Sequence, residues 1–203
     1  FGILSFGLRH EFSFRAVHLL FALVLVFLLY PARGSSKTAP GGWLNNVLLG
    51  FDLLLMVASV ISVGYIVLWF PEVYARAGIL TPTEITLGIL AIIVTIEATR
   101  RTMGPAIPII AIIALLYAYF GPYMPGVLAH RGFSIQRIVT NTYALWDGIF
   151  GSPLAASAQY VFLFVLFAAF LSASGGSEFF MQIALAIAGR VRGGPAKAAA
   201  IGS

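Results

Sequence analysis

The residues able to do chemistry are few. The chain holds three His and no Cys, so disulfides, thiolate metal sites and a cysteine nucleophile are excluded. His10, His18 and His130 stand far apart, and none belongs to an H-E-x-x-H pair, the spacing that sets two imidazoles on one helical face around zinc. They read as satisfied or interfacial side chains. Ser157, Ser172 and Ser174 have no His or Lys near them in sequence to act as base, and Gly151, Ser152 and Pro153 form a helix start rather than a nucleophile elbow. No enzyme is expected.

Other polar residues are more informative. Glu97 is followed at three and four residues by Arg100 and Arg101, so on a helix its carboxylate can pair with either guanidinium and anchor the helix end. Asp52, not far from Trp43, reads as an interfacial residue, and Gln159 as a group bonding between helices. The run Arg190, Val191, Arg192, Gly193, Gly194, Pro195, Ala196, Lys197 places cationic anchors ahead of two glycines and a proline. Such a turn permits sharp re-entry before the apolar stretch that starts at Ala198, and irregular backbone at membrane depth is tolerated where it lines a cavity.

The elements that must hold these residues are membrane helices. Of 203 residues 60% are hydrophobic and 9% charged, against about 45–50% and about 25% in a soluble domain. The mean hydropathy is +0.98. Nucleic-acid binding is not expected despite a pI of 9.8, because the 12 Lys and Arg are scattered between apolar runs rather than gathered in a stripe. The expected class is all-α and polytopic, with five transmembrane helices and two amphipathic interfacial ones.

A span needs about 20 residues. The five predicted spans are 13–30, ended by Pro31; 46–70, closed by Pro71; 81–99, opened by the capping box of Thr81, Pro82, Thr83 and Glu84; 104–120, stopped by Gly121 and Pro122; and 152–173. Only Arg15, Asp52, Glu84 and Glu97 carry charge inside them, each near an end. Between the last two spans, apolar residues at helical spacing predict an amphipathic helix over 135–149, lying on a membrane or protein surface. A second is predicted over 177–190, with Glu178, Gln182, Ala186 and Arg190 as a narrow stripe. Loop charges favour the side holding Arg33, Lys37, Arg100, Arg101, Arg190, Arg192 and Lys197 as cytoplasmic. The first residue is not Met and the last six stop within an apolar stretch, so the chain reads as a fragment.

Ordered motifs carry a resemblance. Glu97 to Arg101 with Gly104, the run Tyr117 to Gly126, His130 to Phe133, Phe164 to Phe167, Ser174 with Gly175, and Gly189 to Lys197 together resemble fused permeases of the tripartite ATP-independent periplasmic (TRAP) transporters. The resemblance implies a small subunit of four helices joined to a large transporting subunit in the bacterial inner membrane. A periplasmic solute-binding protein would deliver an organic acid, of dicarboxylate or sialic-acid type, and uptake would be coupled to sodium. Residues 1–101 would then be the small-subunit-like scaffold without its first helix, and residues 102–203 the start of the large subunit. The 177–190 helix would be the arm joining scaffold to an elevator-like moving domain. The hairpin contributing the sodium and substrate sites would begin beyond Ser203, so no sodium ligand is assigned and no cofactor is expected. Glu97, Arg100, Arg101, Arg190, Gly193, Gly194, Pro195 and Lys197 are the structural motif residues. The alternative from a different class is a membrane scaffold or assembly subunit without a transport path, suggested by the lack of charge in mid-span.

Overall fold

The computed structural model describes residues 2–32, 43–76 and 79–188, and every regular element among them is helical. Five helices are long and apolar enough to cross a membrane: Glu11–Leu29, Asn46–Ala75, Pro82–Met103, Ala106–Tyr123 and Ser152–Ala173. The chain is therefore an all-α, multi-pass membrane protein. It divides into two compact units, Phe1–Ala155 and Ala156–Ser203.

In the first unit α2 (Trp43–Ala75) packs antiparallel to both α1 (Gly2–Leu29) and α3 (Pro82–Met103), and α1 and α3 touch each other in parallel. Phe12 of α1 stacks on Phe70 of α2 at one end, with ring centroids 3.9 Å apart. At the other end the N–H of Ala32 donates to the Asp52 carboxylate at 3.0 Å. The buried seam is built from Ala16, Leu23, Phe27, Ala58, Val63, Ile66, Ala91, Val94 and Ala98. Small residues recur in it because lipid is as apolar as the helix, so close backbone approach replaces the hydrophobic drive to pack. Ser59 and Ser62, both fully buried, return their hydroxyls to Leu55 O and Ala58 O of the preceding turn at 2.8 and 2.7 Å.

The predicted capping box is present. Glu84 N–H donates to Thr81 Oγ1 at 3.3 Å and Thr81 N–H to Glu84 Oε2 at 2.7 Å, with Pro82 in the first turn. Two span ends differ from expectation. Pro71 does not close α2: the helix continues to Ala75 through a kink at Trp69 (φ −109°, ψ 16°), the local relaxation that a proline's missing N–H demands. The kink keeps Val73 in the core. α3 likewise runs past Thr99 to Met103, so Arg100 and Arg101 form its last turn, and Gly104 turns the chain at φ +80°.

α4 (Ala106–Phe120) carries Pro108 in its first turn, where no helical N–H is lost. Beyond it the chain folds back over the helix end. Phe133 N–H donates to Ala118 O at 2.9 Å and His130 N–H to Gly121 O at 3.1 Å. The His130 ring lies against Gly121, where a Cβ would meet it at 2.1 Å. Gly132 N–H donates to His130 Nδ1 at 3.0 Å, so the proton sits on Nε2, which donates to Tyr117 O at 3.1 Å. His130 thus satisfies both ring nitrogens in capping a helix C-terminus.

The largest departure is at 135–149. The continuous surface helix expected there is replaced by a short α5 (Ile135–Val139), a π turn Thr140–Ala144 and an extended residue at Leu145. Val139, Tyr143, Ala144 and Phe150 are buried in the core of the unit. The apolar face of the segment packs on protein, one of the two surfaces that its periodicity allows. Gly88 of α3 admits the segment: a Cβ there would come 2.4 Å from Val139 Cγ1.

After a short α6 (Ser152–Ala156), a π turn at Ser157–Val161 in the second unit leads into α7 (Phe162–Ala173), whose Phe164, Phe167 and Phe170 project outward as in a lipid-facing helix. Gly175, at φ +76°, turns the chain into α8 (Gly176–Ala188). α8 matches the second predicted amphipathic helix, with Glu178 in its first turn accepting from Gln182 Nε2 at 3.4 Å.

Candidate functional site

The ion pairs of the first unit's described residues gather at the two ends of the three-helix bundle. At the end predicted to be cytoplasmic, Glu97 holds both of its arginines. Arg100 donates through Nε and Nη2 at 2.8 Å each, and Arg101 through Nε at 2.8 Å. Arg101 reaches further: Nη1 donates to Asp52 Oδ1 at 2.6 Å and to Tyr30 O at 3.0 Å. One guanidinium therefore ties the end of α3 to the start of α2 and the end of α1. Its side chain is 4% exposed and Asp52's 8%. The aromatic faces of Phe27 and Phe51 lie 5.0 and 5.8 Å from its Cζ.

Asp52 is thus not the simple interfacial residue expected. A carboxylate buried beside lipid needs a partner, and the fold supplies one 49 residues away.

At the opposite end the fully buried Glu84 accepts from Arg76 and from the Tyr65 hydroxyl, the latter at 3.2 Å, in addition to its capping bond. Arg15 pairs with Glu11 and donates through Nη1 to Phe150 O at 3.1 Å, with the Trp146 ring 4.7 Å from its Cζ. That bond satisfies a carbonyl of the irregular segment, as backbone without regular pairing requires at this depth. Tyr143 completes the attachment by donating to Ser62 O of α2 at 2.5 Å. Burial, then the charges of Tyr65 and Glu84, push the Tyr143 hydroxyl well above its ordinary range, so it stays a donor.

Chemically these two clusters neutralise and fasten. Each described buried carboxylate already has an arginine, and among the described residues no three His, Asp or Glu gather as a metal site. Of the residues singled out by spacing, Glu97, Arg100 and Arg101 form one network as expected. Arg190, Gly193, Gly194, Pro195 and Lys197 lie outside the described residues. Spacing alone missed the partners Asp52, Arg15 and Tyr143, since each acts across the bundle. The available signal was that a charge within an apolar span must find its opposite at the same membrane level.

No curated protein and no solved structure matches the chain. The family model described as "Tripartite ATP-independent periplasmic transporter, DctM component" matches residues 90–203, from the middle of α3 through α8 to the end of the chain. With five apolar helices of spanning length and more than half of its residues inside that match, the chain belongs to the DctM family of tripartite ATP-independent periplasmic transporters, as a multi-pass membrane transport component and not an enzyme.

Proposed function

We propose that the chain is the scaffold and entry portion of a sodium-coupled permease for organic acids, of dicarboxylate or sialic-acid type, supplied by a periplasmic solute-binding protein. The family match over residues 90–203 carries this reading. Residues 1–101 act as the small-subunit-like scaffold and residues 102–203 open the large subunit. The interlocked ion pairs at both ends of α1, α2 and α3 support a static role for the first part, because buried pairs fix helices in one arrangement. α8 serves as the arm toward an elevator-like transport domain, and the protein resides in the bacterial inner membrane with the Arg100 and Arg101 end cytoplasmic.

The test is uptake of labelled organic acid by the full-length permease in proteoliposomes with its binding protein. An inward sodium gradient should drive accumulation, and collapsing it should abolish accumulation. Uptake indifferent to both sodium and proton gradients would refute the coupling.

A further inference from the structure

Arg15, Arg76, Arg100 and Arg101 each hold a carboxylate. Arg131 and Arg137 are both exposed, and neither forms an ion pair among the described residues. Backbone packing fixes the height at which Arg137 stands. Phe133 N–H donates to Ala118 O at 2.9 Å, so Phe133 lies beside the last turn of α4, inside the span Ala106–Tyr123. Val139 packs on Gly88 of α3, which is about 9 Å inside the start of that helix at Pro82. Arg137 falls between these two levels, about 3 Å along α5 from Val139. It is therefore an exposed cation within the outer end of the spans, on the side opposite Arg100 and Arg101.

An exposed charge at that height is costly unless an anion meets it. The protein offers no carboxylate there among its described residues, whereas every phospholipid carries a phosphate close by. An arginine lays its stem on apolar surface and extends its planar fork of donors toward the headgroups, where the fork matches phosphate. The surroundings suit the rest of a lipid molecule. The Phe133 ring lies 5.4 Å from Arg137 Cζ, and Phe133 and Ile135 are 40% and 53% exposed. A soluble partner can meet the loop tip at Tyr123 and Val127, but not a side chain rooted inside the span. We propose that Arg137 binds the phosphate of a phospholipid in the leaflet opposite the Arg100 and Arg101 end. Arg131, just beyond the helix end, adds a second cation, and Phe133 and Ile135 meet the acyl chains.

The test titrates the full-length permease, in dodecyl maltoside micelles, with phosphatidylglycerol and counts bound lipids by native mass spectrometry. It reads binding alone, so its outcome is separate from that of sodium coupling. Arg137→Gln should weaken binding of one phosphatidylglycerol by about tenfold, the loss expected for a hydrogen bond to a charged group. Arg137→Lys, which keeps the charge, should retain most of the affinity. A diacylglycerol, which has no phosphate, should bind all the proteins alike. Melting temperatures are measured in parallel, and Arg131→Gln, with a smaller expected loss, takes the place of Arg137→Gln if that variant does not fold. Equal phosphatidylglycerol affinity in the folded Gln variant and the unaltered protein would mean that another part of the full chain covers the arginine, and would overturn the proposal. Unchanged lipid binding with weakened binding of the solute-binding protein would assign the arginines to that partner instead. Displacement of the lipid by inorganic phosphate would reduce the site to one for free anions and would equally overturn it.

Discussion

Replacing Gly88 by Ala asks directly whether 135–149 is inserted in the bundle. The new methyl carbon would lie 2.4 Å from Val139 Cγ1 and 3.0 Å from Tyr143 Cδ1, against roughly 3.5–4.0 Å for ordinary carbon contact. On helix propensity alone the change is favourable by about 1 kcal/mol. Overpacking costs about 1–3 kcal/mol, so the net expectation is destabilisation of up to about 2 kcal/mol. Val139→Ala removes the nearest obstructing atom, at about 1.5 kcal/mol for its two buried methyl groups. In that background Gly88→Ala has the Tyr143 ring as its nearest neighbour, at 3.0 Å, and needs that ring to shift by a few tenths of an ångström. It should then turn neutral or stabilising by up to about 1 kcal/mol. Equilibrium unfolding of the four proteins in mixed detergent micelles measures the cycle, with a coupling of about 1–3 kcal/mol expected. If Gly88→Ala stabilises in both backgrounds and the two changes add within about 0.5 kcal/mol, α5 does not pack on α3 and the inserted arrangement is wrong.

Two further outcomes test the ion pairs and the topology. Asp52→Leu should destabilise by roughly 3 kcal/mol, because Arg101 stays buried with Glu97 alone, and adding Arg101→Met should recover most of the loss in the same unfolding assay; a double variant no better than the single one would deny the coupling. Single cysteines at Lys37 and Arg192 should react with an impermeant reagent from the cytoplasmic face and one at Arg76 from the opposite face, so Lys37 and Arg76 labelling together would reverse the span count.

Local chemistry written in neighbouring residues survived folding unchanged. The Thr81 to Glu84 capping box, the pairing of Glu97 with Arg100 and Arg101, and α8 all rest on interactions within one or two helical turns. Spacing along the chain is sufficient information for such contacts. The five spans were legible for a related reason: crossing hydrocarbon takes a fixed length of apolar helix, and that length is a property of sequence. Their ends were less so. Pro71 stops an isolated helix, but here packing of Phe70 and Val73 in the core outweighs the lost hydrogen bond and carries the helix through a kink.

What tertiary structure alone decided is which face meets protein and which meets lipid. Both environments are apolar, so the periodicity of 135–149 cannot distinguish burial against α2 and α3 from a place on the membrane surface. Only the gap at Gly88, the Tyr143 bond to Ser62 O and the Arg15 bond to Phe150 O settle it. In the same way hydropathy set Asp52 near one end of a span and Arg101 just beyond the end of another without naming them as partners. Their 49-residue separation becomes 2.6 Å only when α2 and α3 pack antiparallel, and the low dielectric that makes each charge costly alone is what binds the pair.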